Sequence, residues 1–300
     1  MSKNIILLDA SSFENSACLR RVQFSNRIGL VSKLGSDPLD FGQAVHRALA
    51  KFRKAVALKQ LVNVEECVNE GVEYYAGRMC VKEPPRTIDA LRKVISQYIN
   101  QALYDHFYPL TVGDKVAIEI PFKIPFYSTP LTDVLLSGVI DGIGKVGSPI
   151  VGPVAIRDIK TSATFKIQQH LKEQLERPQF HVYTYAASYL GYSEPGKYLP
   201  IQIDGIYIGK DDPEFKCSEV HHVPEFLVDN TIKALMHLAK QMAELVESGE
   251  EQWPHNYNQC HGKYRLCEYS NICQVPKASQ HVPIKFMYET RVYDPAKFGE

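Results

Sequence analysis

The sequence predicts an α/β protein, a sheet core with helical additions. Helical periodicity runs through the first hundred residues, strict alternation takes over from Val116, and a long helical stretch returns before a cysteine-rich end. Phe41, Val45, Leu49, Phe52 and Val56 recur at spacings of four, four, three and four, one face of a helix over 41–60. Residues 63–80 and 86–108 also read as helices, parted by Pro84-Pro85, because proline lacks the amide hydrogen a helix interior needs. Val116, Ile118, Ile120, Phe122, Ile124 and Phe126 then alternate with other residues, as side chains do on a half-buried strand. Residues 134–143 and 154–161 read as two more strands across a Gly/Pro-rich turn. A helix over about 178–190 follows, with Pro178 in its first turn and Gly191 at its end. Residues 201–209 read as a strand and 225–248 as a helix. Continuous strand-turn-strand linkage favours one domain over residues 1–300 with an elaborated N-terminal part.

Composition narrows the function. The 300 residues are 45% apolar and 23% charged, the balance of a globular protein. Lys and Arg number 34, as do Asp and Glu, so no net charge steers the whole molecule toward nucleic acid. Basic clusters at Arg20-Arg21 and at Lys51, Arg53 and Lys54 read as solvated helix faces. No apolar run approaches the roughly 20 residues of a membrane helix. Ile5 to Leu8 is too short a run for a signal-peptide core, so a cytoplasmic location is expected.

The sharpest local signal is Asp158-Ile159-Lys160. Alternation on a strand points Asp158 and Lys160 to one face, where a carboxylate can hold a hard divalent cation. The lysine beside it can orient a water and stabilise charge developing at phosphorus. A solvated ion pair at a strand end is the ordinary alternative. Asp141, in Ser137-Gly138-Val139-Ile140-Asp141-Gly142, ends the preceding strand and converges on the same site if the two strands pair. Glu119 lies on the non-apolar face of its strand, where solvent exposure is an equal alternative. His46 shares a helix side with Gly42 and Leu49, and a neutral imidazole there can ligate a metal. Gln179 and Tyr183, four apart, project from one face of the next helix.

In order, these pieces are Gly42 with His46, Glu119, Gly138 with Asp141, Asp158 with Lys160, and Gln179 with Tyr183. That order resembles the PD-(D/E)XK nuclease superfamily, in its RecB/AddB-like exonuclease branch. The resemblance implies a restriction-endonuclease-like central mixed sheet flanked by helices, and metal-dependent hydrolysis of DNA phosphodiesters in recombination, repair or replication. It divides the chain into an N-terminal segment 1–40, a helical part 41–110, a nuclease core 111–250 and a tail 251–300. It implies that His46, Asp141, Asp158 and the Ile159 carbonyl ligate Mg²⁺ or Mn²⁺. By the same resemblance Lys160 activates the attacking water, Glu119 is a catalytic carboxylate, and Gln179 and Tyr183 contact DNA or support the site. A non-catalytic DNA-binding or scaffold subunit on this fold is the alternative.

Seven cysteines, an odd count, argue against a disulfide framework. Cys260, Cys267 and Cys273 fall within 14 residues and suggest soft-metal ligation, for which zinc and iron–sulfur are both open. His255 or His261 could complete a zinc site in a zinc-stabilised interaction module. Members of the same nuclease branch, including AddB-type, CRISPR-associated and phage relatives, carry one cysteine before the core and three after it. The resemblance therefore implies a 4Fe-4S cluster on Cys18, Cys260, Cys267 and Cys273, tying the two chain ends together. The gap of six residues before Cys267 departs from that pattern, where many members have two. Cys67, Cys80 and Cys217 read as packing residues. No Gly-x-x-x-x-Gly-Lys-Ser/Thr loop occurs, so unwinding would fall to a partner helicase.

Overall fold

The computed structural model describes residues 3–80, 82–102, 106–113, 115–163, 166–209, 212–261, 266–291 and 295. Among these residues a mixed sheet of seven strands is flanked by helices, as expected. In chain order the strands are β1 (Asn4–Leu8), β2 (Phe107–Pro109), β3 (Ile118–Ser128), β4 (Thr132–Val146), β5 (Val154–Ser162), β6 (Ile201–Tyr207) and β7 (Glu214–Cys217). The sheet runs β1-β4-β5-β6-β7, and β2 and β3 also pair with β4. The apolar run Ile5–Leu8 is spent on β1, which pairs parallel to the start of β4. Among the described residues no helix is long and apolar enough to cross a membrane.

The chain clusters into two compact units, one of residues 35–121 and 139–228, the other of 1–34, 122–138 and 229–297. In the first unit β4 and β5 pair antiparallel from Gly142–Arg157 to Lys145–Val154, and β5 then pairs parallel to β6. Three helices, α1 (Asp37–Ala57), α2 (Val64–Ala76) and α3 (Ile88–Ala102), cover these strands. Their apolar stripes, including Phe41, Val45, Leu49, Leu91, Ile95 and Ile99, pack with Ile159 of β5 and Ile206 of β6 in one core. The helix expected over 86–108 is described as Ile88–Ala102, and Phe107–Pro109, expected to belong to it, pairs instead with β4 in the sheet. A helix α4 (Ile167–Leu175), absent from the sequence expectation, sits on β6. Gly205 makes room for it, since a Cβ there would come within 2.9 Å of Ile167 and Leu171. Helix α5 (Pro178–Tyr189) follows, as expected.

Arg53 does not lie on a solvated face. It is 5% exposed and donates to Asp204 Oδ2 at 2.7 Å, while Arg157 donates to both carboxylate oxygens of Asp204 at 2.8 and 2.7 Å. Tyr98 donates to the same Oδ2 at 2.6 Å. Burial raises the Asp204 carboxyl, but the two guanidiniums and the tyrosine outweigh it and hold the group at about 2. A carboxyl held below its ordinary range stabilises the fold above about pH 4 and loses that contribution as pH falls toward 2. The expected loss is on the order of 2–3 kcal/mol over that window. Urea unfolding between pH 4 and pH 2 checks it, and a flat profile would contradict it.

The second unit joins the two ends of the chain. Leu30–Ser32 pairs antiparallel with Tyr288–Thr290. Phe24, Leu30, Tyr269, Ile272 and Tyr288 form its core, with Cys267 and Cys273 packed against them. Gly29 is required there: its φ is +75°, and a Cβ would meet the Arg291 carbonyl oxygen at 2.3 Å. A long helix, α6 (Glu225–Glu247), occupies the stretch expected to be helical.

Candidate functional site

The strand register assembles the first site. One step beyond the Gly142–Arg157 pair would set Asp141 against Asp158. Instead, the Asp141 carboxylate takes the Ile159 N–H at 2.9 Å, so the side chain replaces a ladder bond. Asp141 was expected to end its strand but lies inside β4, which continues to Val146. His46, on the buried stripe side of α1, places Nδ1 3.2 Å from Asp141 Oδ2. Glu119 was expected beside solvent on equal terms with a site role. Its backbone adopts φ +52°, the left-handed region that non-glycine residues rarely occupy. That local break in the strand goes with a largely buried carboxylate. One ligand atom each of His46, Glu119 and Asp141 lies within 4.8 Å of the others.

Asp158 and Lys160 share a face of β5, as alternation predicts, with Lys160 Nζ 2.9 Å from Asp158 Oδ2. The contact has ion-pair distance but not hydrogen-bond geometry, so both Asp158 oxygens remain buried without a hydrogen-bond donor. Glu119 Oε2 is buried and without one too. Lys160 Nζ donates to Gln179 Oε1 at 3.2 Å, and Gln179 Nε2 donates to the Tyr183 hydroxyl at 2.9 Å. The two α5 residues thus form a chain that ends on the lysine. All seven side chains singled out from the sequence belong to this one unit.

The electrostatics are those of carboxylates crowded out of water. Burial, then the neighbouring Asp141 charge, pushes the Glu119 carboxyl up to about 8 against the opposing pull of His46. Burial likewise pushes Asp158 up to about 6, with Lys160 opposing. Burial disfavours the charged form of Asp141, but His46, Lys160 and the Ile159 N–H hold it below the ordinary range. Burial would lower His46, but Asp141, with Glu119 and Asp158, outweighs it and lifts the imidazole to about 9. A divalent cation fits this donor set: hard oxygen ligands, one imidazole, and buried carboxylate oxygens that lack donors.

The four cysteines singled out at the two chain ends also meet. Cys18, Cys260, Cys267 and Cys273 line one small cavity with His255, Phe24 and Tyr269. All are free thiols. Burial, tempered by Arg20 and reinforced by the other three sulfurs, pushes Cys273 up to about 11. His255 Nε2 lies 3.1 Å from Cys260 Sγ. His261 forms an isolated bridge with Leu266 and does not line the cavity. Sequence reasoning missed Arg20, taken for a solvated cation. It is 6% exposed, hydrogen-bonds Gln23 and Gln280, and its charge lies beside Cys273 and Cys18. Among the described residues it pairs with no carboxylate. A buried cation of this kind needs a counter-charge, and metal-bound thiolates would supply it. Cys67 and Cys80 are buried as expected, whereas Cys217 is exposed.

The profile of the PD-(D/E)XK nuclease superfamily matches residues 14–274, a span holding every residue of both constellations. The chain is similar to a candidate exonuclease from Eubacterium rectale, with 15% identity, 90% of this chain and 89% of that chain covered, and a TM-score of 0.48. It is also similar to SSO0001, with 15% identity, 91% and 87% coverage, and a TM-score of 0.30. No curated protein matches the chain.

Proposed function

The chain belongs to the PD-(D/E)XK nuclease superfamily, and from that premise we propose a Mg²⁺- or Mn²⁺-dependent deoxyribonuclease, acting as an exonuclease in DNA recombination, repair or replication. The observation that carries the metal dependence is the set of donor-less buried oxygens on Glu119 and Asp158 beside His46 and Asp141. His46, Glu119, Asp141, Asp158 and the Ile159 carbonyl would hold the cation. When bound, it supplies positive charge at the scissile phosphate and makes its water more acidic. Lys160, held by Gln179 and Asp158, orients the attacking water and faces the charge that builds on phosphorus. Asp141 fixes the β5 backbone through Ile159, which keeps Asp158 and Lys160 in register with it. Water adds across the phosphodiester: its oxygen bonds phosphorus, the bond from phosphorus to the sugar oxygen breaks, and a water proton ends on the leaving alkoxide.

Gln179 and Tyr183 act here as positioning residues for Lys160 rather than as DNA contacts. Gln179→Ala is expected to lower kcat about 10- to 100-fold with little change in KM for DNA. Steady-state kinetics check this; a rise in KM at constant kcat would assign Gln179 to DNA instead. End-labelled single- and double-stranded DNA, incubated with Mg²⁺, Mn²⁺ or EDTA, tests the nuclease itself and reports polarity.

For the cysteine cavity the reading is a 4Fe-4S cluster that staples the N-terminal segment to the tail. Its support is the buried Arg20 cation beside Cys273 and the meeting of the four cysteines in one cavity.

A further inference from the structure

Arg53 stands seven residues after His46 on α1, two helical turns along and hence on the same side. Arg157 immediately precedes Asp158 on β5, and Asp204 of β6 lies beside Ile159 in the parallel register. Arg53 and Arg157 meet on Asp204, and Tyr98 of α3 closes the group by accepting from Arg53 at 2.9 Å while donating to Asp204. Both guanidiniums also lie over the Phe107 ring, 5.2 Å from its centroid. The cluster is buried. The helix that carries His46 and the strand that carries Asp158 and Lys160 are therefore joined, behind the site, through one carboxylate.

We propose that Arg53 is a positioning residue for the metal site: through Asp204 it fixes the distance from His46 on α1 to the Asp158 strand. The inference rests on the divalent-metal reading above. A planar, bidentate-capable guanidinium suits this brace, and two hydrogen bonds hold it to Asp204 and Tyr98. The rival role for Arg53 is electrostatic, because its charge lies close enough to lower the Glu119 carboxyl. The two roles predict opposite signs. Removing a nearby cation strengthens binding of Mn²⁺ to carboxylates, whereas releasing α1 weakens it.

The test is Mn²⁺ binding by calorimetry to the full chain, read without cleavage, for wild type, Arg53→Met and Arg53→Lys. Asp204 keeps its bonds from Arg157 in both variants, so no buried carboxylate is stranded. Arg53→Met is expected to weaken Mn²⁺ about tenfold, and Arg53→Lys, which restores one bond and the charge, to recover most of that loss. If Arg53→Met does not fold, Tyr98→Phe decides, with an expected loss of about two- to threefold. Unchanged or tighter Mn²⁺ binding by Arg53→Met, or by Tyr98→Phe in its place, overturns the brace while leaving the metal site standing. A wild type that binds no Mn²⁺ overturns the metal reading, and the brace with it.

Discussion

Asp158→Asn is expected to abolish metal-dependent DNA cleavage, a loss of at least about a thousandfold, and to raise the melting temperature of the metal-free protein. Both effects come from one feature. The carboxylate is fully buried, and neither oxygen has a hydrogen-bond donor. Its carboxyl stands at about 6 despite the ion pair with Lys160, so burial outweighs the attraction. A carboxyl raised in the folded state destabilises the fold. That cost is absent below about pH 4, where the group is protonated in both states, and complete above about pH 6. At neutral pH it is on the order of 2–3 kcal/mol. An amide of the same shape removes it. Lys160 keeps Gln179 and the Phe180 ring, 5.6 Å from its Nζ, as partners. The net gain should be a few degrees, since about 1 kcal/mol shifts a domain of this size by a few degrees. Calorimetry in EDTA checks the sign. A fall in melting temperature would mean that Asp158 serves the fold rather than a cation.

Cys273→Ser carries the second large effect. The Cys273 thiol lines one cavity with the other three cysteines and lies beside the Arg20 charge. If these thiolates hold a cluster, losing one should cut iron and sulfide content by more than half in anaerobically purified protein. The melting temperature should fall by about 10 °C or more, because binding energy at a structural metal centre is folding energy. Cys217→Ser, at an exposed cysteine, is the control and should change neither. Stoichiometric zinc without iron or sulfide in wild type would replace the cluster with a zinc site.

The helices and strands that sequence made legible are those with long, regular apolar periods. The α1 stripe from Phe41 to Phe52 and the β3 alternation of Phe122, Ile124 and Phe126 are examples, and both survive in the fold, although Val56 at the end of the stripe is exposed. What periodicity could not reveal falls into two kinds. Short elements such as β1, β7 and α4 have too few turns or alternations to stand out, and they form because neighbours in the sheet or core complete them. Buried charge is the other kind. Arg53 finds its carboxylate 151 residues away and Arg20 its glutamine 260 residues away, and a charged residue reads as solvated until its partner is known. Glu119 was half legible: its residue type suited a metal site, but its orientation depends on a left-handed backbone that no alternation pattern encodes. The ordered pairs Asp141, Asp158-Lys160 and Gln179-Tyr183 were legible because each is fixed by local geometry on one strand or one helix.

The most direct test of the central claim is cleavage of end-labelled linear DNA by anaerobically prepared wild type and Lys160→Ala, side by side, with Mg²⁺ or Mn²⁺ and with EDTA. Lys160 is partly shielded and touches Asp158, Gln179 and the buried Phe180 ring through its ammonium end, so circular dichroism of the variant accompanies the assay to show that it folds. The account predicts cleavage by wild type that needs the cation and disappears in Lys160→Ala. Cleavage that persists in the variant or in EDTA, or DNA left intact by wild type with either cation, would contradict it.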